Sequence, residues 1–128
     1  MVILITGKQG AGKTHYAREL ITELEATGFN VCWIDGDVWR GEHKNDDYSE
    51  EGRKRNLLSA AQQAAEYERG GHYVVLSFIA PKRRWRDAMR KCWHESRLVY
   101  MPGGKLWEGT EYETPVENEF NREINKYR

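Results

Sequence analysis

Cysteine is scarce: Cys32 and Cys92 are the only two in 128 residues, and neither has a neighbour at metal-site or redox-motif spacing. This excludes a disulfide-stapled scaffold and predicts two free thiols, buried as small hydrophobes, in a reducing compartment. Long apolar runs are also missing. The longest, residues 2–5 and 73–79, fall far short of the ~20 residues that a membrane-spanning helix needs. Charge of one sign is not in excess either, since 20 basic residues balance 20 acidic ones. No global field therefore draws the chain to nucleic acid, an anionic membrane or another polyanion, and charged ligands must be recognised locally. His15, His43, His72 and His94 form no i, i+4 pair, which argues against zinc. No basic leader precedes the first apolar run, so the expected location is the cytoplasm.

What is present is an alternation of short apolar runs with helix-period segments. Residues 1–6 are apolar and β-branched, the pattern of a strand buried on both faces. Tyr16, Ala17, Leu20, Ile21 and Leu24 then recur at helical spacing, with Gly28 as a stop. Residues 31–34 predict a second strand, and residues 41–50 a polar loop. A helix through Leu57, Ala61, Ala64 and Ala65 ends at Gly70-Gly71. A third strand covers residues 73–79, a basic helix opened by Pro81 runs to about residue 93, and a weaker fourth strand covers 98–101. Strands alternating with helices imply βαβ units, hence an α/β fold with a mainly parallel sheet, and the length predicts one domain over residues 1–128. Ligands of such sheets bind beyond the carboxyl ends of the strands.

Gly7-Lys8-Gln9-Gly10-Ala11-Gly12-Lys13-Thr14 matches the Walker A pattern between a strand and a helix. It predicts a P-loop NTPase-like three-layer α/β/α sandwich. Glycine at 7, 10 and 12, with Ala11 between, lets successive backbone N–H groups converge on phosphate oxygens at a helix start. Lys13 supplies a point charge for the β- and γ-phosphates of ATP, and the Thr14 hydroxyl a ligand for Mg²⁺. A glycine-rich turn that merely joins strand to helix is the bland alternative. It does not explain Lys-Thr at the right offset.

After the second strand, Asp35-Gly36-Asp37-Val38-Trp39-Arg40 sets two carboxylates and an arginine beside the phosphate cradle. A carboxylate there can take a proton from an acceptor hydroxyl or hold a metal-bound water, and Arg40 can fork onto an anionic acceptor. Walker A followed by Asp-Gly-Asp-x-x-Arg resembles the adenylylsulfate (APS) kinase family. The segment from Tyr48 to Asn56 is similar to that family's Phe-Ser-x-x-Asp-Arg-x-x-Asn, with Tyr48 for Phe and Gly52 for Asp. Residues 78–86 are similar to its Phe-Ile-Ser-Pro segment, and Tyr112-Glu113-Thr114-Pro115 to its late Tyr-Glu-x-Pro. The resemblance implies ATP-dependent phosphorylation of the 3′-hydroxyl of adenosine 5′-phosphosulfate. Lys13, Asp35 and Asp37 would be catalytic. Asp37 would be the base and Asp35, with Thr14, would order Mg²⁺, although the two aspartates could exchange roles. Arg40, Arg53 and Asn56 would grip the phosphosulfate, Ile79 and Ala80 would contact the acceptor, and Tyr48 would stack on its adenine with Trp107 opposite. A homodimer is allowed.

The departures are as informative. Ala80 stands where the family has serine, Leu58 and Ser59 where it has an arginine pair, and its Arg-Asp-Pro-Lys-Gly-Leu-Tyr lid is missing, since residues 100–104 run straight on. Three readings follow: a minimal active kinase, a kinase for another acceptor such as a polynucleotide 5′-hydroxyl, and a nucleotide-binding protein with weak or no transfer. The basic run Lys82, Arg83, Arg84, Arg86, Arg90 and Lys91 invites a nucleic-acid reading. A solvated cationic helix face is preferred, with Arg86 or its neighbours near anionic ligands. Trp33 is read as core, and Trp39 either as a pocket wall or as packing.

Overall fold

In the computed structural model the described residues are 1–44, 46–106 and 110–119. The chain runs β1 (Val2–Gly7), α1 (Lys13–Ala26), β2 (Val31–Asp35), α2 (Gly36–Glu42), α3 (Glu50–Arg69), β3 (Tyr73–Phe78), α4 (Arg83–Arg90) and β4 (Ser96–Met101), with a 3₁₀ turn at Glu117–Glu119. All strand pairs are parallel and the order is β2-β3-β1-β4. Every residue of β1 is buried, which is why that run is apolar without alternation.

Crossovers between parallel strands are right-handed. The step from β1 to β2 and the steps from β2 to β3 and β3 to β4 travel in opposite directions across the sheet. Hence α1 covers one face and α3 with α4 the other, making three layers. Helix α3 buries Asn56, Leu57, Ala60, Ala61, Ala64 and Ala65. Its alanines let the helix lie close to the sheet, and the buried Trp93 indole donates to the Ala61 carbonyl at 2.9 Å. The direction change falls between β1 and β3, so the crevice at their carboxyl ends is where a ligand belongs.

The structure corrects several expectations. A short helix, α2, that no sequence pattern announced follows β2, and Asp35 caps it by accepting from the Val38 amide at 3.4 Å. Helix α3 starts at Glu50, capped by Ser49, whose hydroxyl accepts from the Gly52 amide at 3.1 Å. Helix α4 is shorter than the basic run. Cys32 and Cys92 are half-buried rather than buried. Trp33 lies on the edge strand β2 and is 37% exposed, so it is not a core residue. Among the described residues the buried tryptophans are Trp85 and Trp93. Which strand lies at an edge depends on the order in which strands pair, and that order is not written in any local pattern. Among the described residues no helix is long and apolar enough to cross a membrane.

Candidate active site

The phosphate cradle follows β1 directly. Gly12 sits at φ +96° before α1, in the left-handed region where a side chain would be strained, and no side chain caps that helix start. Helices α2 and α3 both carry a capping side chain and acidic residues in the first turn, whereas α1 has neither. A helix start left without internal acceptors or carboxylates suits an anion. The ammonium of Lys13 donates to the carbonyls of Gly7 (2.8 Å) and Lys8 (2.9 Å), which holds it against the loop. Burial pulls its pKa down, while the charges of Asp37 and then Asp35 work in the opposite direction. Thr14 is exposed on the same cleft.

Asp35 is held through both of its carboxylate oxygens. Its Oδ1 accepts from the Ser77 hydroxyl at 2.8 Å, that hydroxyl accepts from the Trp33 indole N–H at 3.0 Å, and Oδ2 caps α2. Sequence reading missed Ser77; the signal available was a hydroxyl residue inside an otherwise apolar strand, β3. Asp37 stands in the first turn of α2, and three clefts meet on it. One is the phosphate cleft with Lys13, Thr14 and Asp35. A second is lined by Arg40, Arg53, Asn56, Ile79 and Ala80. The third adds Tyr48. The fold thus gathers residues from α1, β2, α2, α3 and the turn after β3 around one carboxylate. Trp107 lies outside the described residues.

The second cleft is cationic on one wall. The guanidinium of Arg53 lies 5.6 Å from the centre of the Trp85 ring, and its buried Nε has no hydrogen-bond partner. That orphaned donor, with Arg40 beside it, fits an anionic group. Arg40 covers the exposed ring of Tyr48 at 4.5 Å, so the ring reaches the cleft stacked on a cation. Asp47 fills the space that a side chain at 52 would need, because a Cβ there would lie 2.5 Å from the Asp47 carbonyl oxygen. The same carbonyl accepts from Arg40 at 3.4 Å. Arg86, expected near anionic ligands, is instead fully buried and paired with Glu119.

A Walker A loop at the end of a central parallel strand, with carboxylates from the end of β2 and the start of α2 lining the same cleft, defines a P-loop nucleotide-binding protein. Comparison with known proteins narrows the class. The Adenylylsulphate kinase family profile matches residues 1–102, and the chain belongs to that family. It is 40% identical over 91 residues to a probable adenylyl-sulfate kinase of Archaeoglobus fulgidus, covering 70% of this chain and 59% of that protein. It is 34% identical over 98 residues to the adenylyl-sulfate kinase of Bacillus licheniformis, covering 76% and 50% respectively. The chain therefore spans about half the length of the curated relatives it matches. Among solved structures, the Mycobacterium tuberculosis APS kinase CysC in complex with AMPPNP and APS superposes with TM-score 0.74 at 26% identity, over 79% of this chain and 61% of that one. A hexameric APS kinase from Thiobacillus denitrificans gives 0.76 at 25%, over 89% and 23%.

Proposed function

We propose that residues 1–128 act as one ATP-dependent kinase unit that phosphorylates the 3′-hydroxyl of adenosine 5′-phosphosulfate, giving ADP and the 3′-phosphorylated product. The observation that carries this reading is the position of Asp37, on the boundary between the phosphate cleft and the cationic cleft. An acceptor-activating carboxylate must stand at such a boundary. Asp37 takes the proton of the acceptor hydroxyl as its oxygen bonds to the γ-phosphorus, and the bond to the β–γ bridging oxygen breaks. Lys13 balances negative charge on the transferring group, with N–H groups of the loop and of the α1 start. Thr14 and Asp35 would hold Mg²⁺, which when bound neutralises charge on the β- and γ-phosphates. Their fit rests on the exposed Thr14 hydroxyl and on a carboxylate already oriented by Ser77.

Arg40, Arg53 and Asn56 hold the phosphosulfate, and Ile79 and Ala80 wall the acceptor. Tyr48 stacks on the adenine. The acceptor is small, and nucleic acid has no part in this reading, because the basic residues of α4 are largely committed to partners. Lys82 and Arg84 pair with Glu50 at 2.5 and 3.1 Å, and Arg83, Arg86 and Arg90 converge on Glu119. The reading places the chain in the cytoplasm. Self-association, as a homodimer, is part of it; a relative of the same fold is described as hexameric, and light scattering decides the state.

The direct test is purified protein with Mg·ATP and adenosine 5′-phosphosulfate, following ADP release and labelled product. Transfer to this acceptor is expected, and Lys13→Ala is expected to abolish it. Asp37→Asn should lower kcat by about 10²–10⁴-fold while leaving the KM for ATP within a few-fold. No acceptor-stimulated ADP release from folded protein that binds nucleotide would refute the assignment. Tight binding of ATP without transfer would support the non-catalytic alternative, and labelling of a 5′-hydroxyl oligonucleotide would support the polynucleotide one.

A further inference from the structure

We infer that Arg86 is a positioning residue that sets the shape of the acceptor cleft from behind, by clamping the turn between β3 and α4. The inference rests on the reading of that cleft as the acceptor site.

Arg86 lies within α4, in the basic run, yet it is fully buried, and so is the side chain of Glu119. Four donations leave its guanidinium. Nε and Nη2 fork onto the Glu119 carboxylate at 2.6 and 2.9 Å, Nη1 reaches the Ala80 carbonyl at 2.7 Å, and Nη2 the Glu113 carbonyl at 2.7 Å. Four donations, two of them a planar fork onto one carboxylate, exceed the three N–H of a lysine ammonium. A buried guanidinium is tolerated where its nitrogens find acceptors, and here all three do.

What the clamp holds is unusual. Ala80 has φ +44°, in the left-handed region that a residue with a Cβ rarely adopts. Such a conformation persists only when its surroundings over-determine it. They do so from both sides. Arg86 fixes the Ala80 carbonyl, and the Thr6 hydroxyl donates to the neighbouring Ile79 carbonyl at 2.5 Å. The Thr6 proton is committed there, so the Tyr112 hydroxyl, 2.8 Å away, donates to Thr6. The Glu113 amide adds a bond to the Pro81 carbonyl at 2.7 Å. Residues 112–119 therefore strap the turn from outside, and Arg86 joins strap to turn. The front of that turn, Ile79 and Ala80, walls the cleft that Asp37, Arg40 and Arg53 line. If the clamp opens, Ala80 can relax to negative φ, and the wall facing Asp37 moves.

The test uses the full chain with Arg86→Met and Glu119→Leu combined, which removes both charges together, and Glu119→Gln alone, which keeps the shape and loses the charge. Two readouts are taken: the ¹³C-methyl resonances of Ala80 and Ile79 without ligand, and the separate KM values for acceptor and ATP. In folded variants we expect both methyl resonances to shift, the acceptor KM to rise about tenfold or more, and the ATP KM to stay within about twofold. Unchanged methyl resonances, or acceptor and ATP KM values that rise together, would overturn the positioning role, as would failure of both variants to fold. Should the wild type prove inert toward adenosine 5′-phosphosulfate, the proposed function fails instead. The methyl resonances then still judge the clamp.

Discussion

Tyr112 shows how much one side chain's surroundings alter its chemistry. Burial pushes its hydroxyl up to about 12, against a smaller downward pull from the Arg86 charge. The unfolded chain ionises at the ordinary tyrosine value, so between about pH 10 and 12 it holds fewer protons than the folded one. Stability due to this group is therefore full below pH 10 and is lost as pH rises through that window. In an alkaline titration at 295 nm, one of the seven tyrosines should ionise late, and Tyr112→Phe should remove that late step and flatten the fall in Tm above pH 10. Equal late ionisation in wild type and variant would disprove the assignment. The same residue scale explains Asp35. Its capping of α2 and its bond from Ser77 fix the orientation of a carboxylate that the sequence could only name.

Among elements, the segment after β4 does unexpected work. Gly104, at φ +74°, is pressed against the Walker A loop, and the Lys105 amide donates to the Gln9 carbonyl at 2.8 Å. A Cβ at 104 would meet the Gln9 oxygen at 2.5 Å and the Ala11 nitrogen at 3.0 Å, both rigid backbone atoms. Gly104→Ala should therefore displace the cradle rather than the segment after β4 alone. We expect the Kd for Mg·ADP, measured calorimetrically, to rise about tenfold and Tm to fall, as for alanine forced into a positive φ. A variant binding Mg·ADP as the parent does would show that the segment after β4 is passive. A Pro-Gly-Gly turn with an exposed lysine reads locally as a loop; the contact that gives it a task spans most of the sequence.

At the scale of the molecule, the sequence between β4 and the Tyr-Glu-x-Pro motif lacks the run that resembles the family lid. In the family resemblance that run reaches the nucleotide base. The phosphate cleft here is lined by the loop, by α1 through His15 and Arg18, and by the ends of β2 and β3. Recognition should then rest on phosphates, with little reading of the base. GTP should replace ATP with kcat/KM within about tenfold, less than 1.4 kcal/mol of discrimination. Acceptor-independent ATP hydrolysis should also be measurable, because a site without closure admits water. Strict preference for ATP with no background hydrolysis would mean that another part of the protein covers the base.

By itself, the order of residues determined the alternation of strands and helices, the phosphate cradle and the identity of the carboxylates and cations beside it. Each of these is a local pattern: apolar runs, helical period, glycines at set offsets, charged residues at strand ends. Tertiary structure alone decided that β2 is an edge strand exposing Trp33, that Asp37 rather than Asp35 stands where the clefts join, and that Arg86 faces inward onto Glu119 and Ala80. The physical reason is distance along the chain. Those outcomes depend on strand order and on contacts between segments far apart in sequence, and a buried guanidinium reads as one more surface cation until its partners are brought to it.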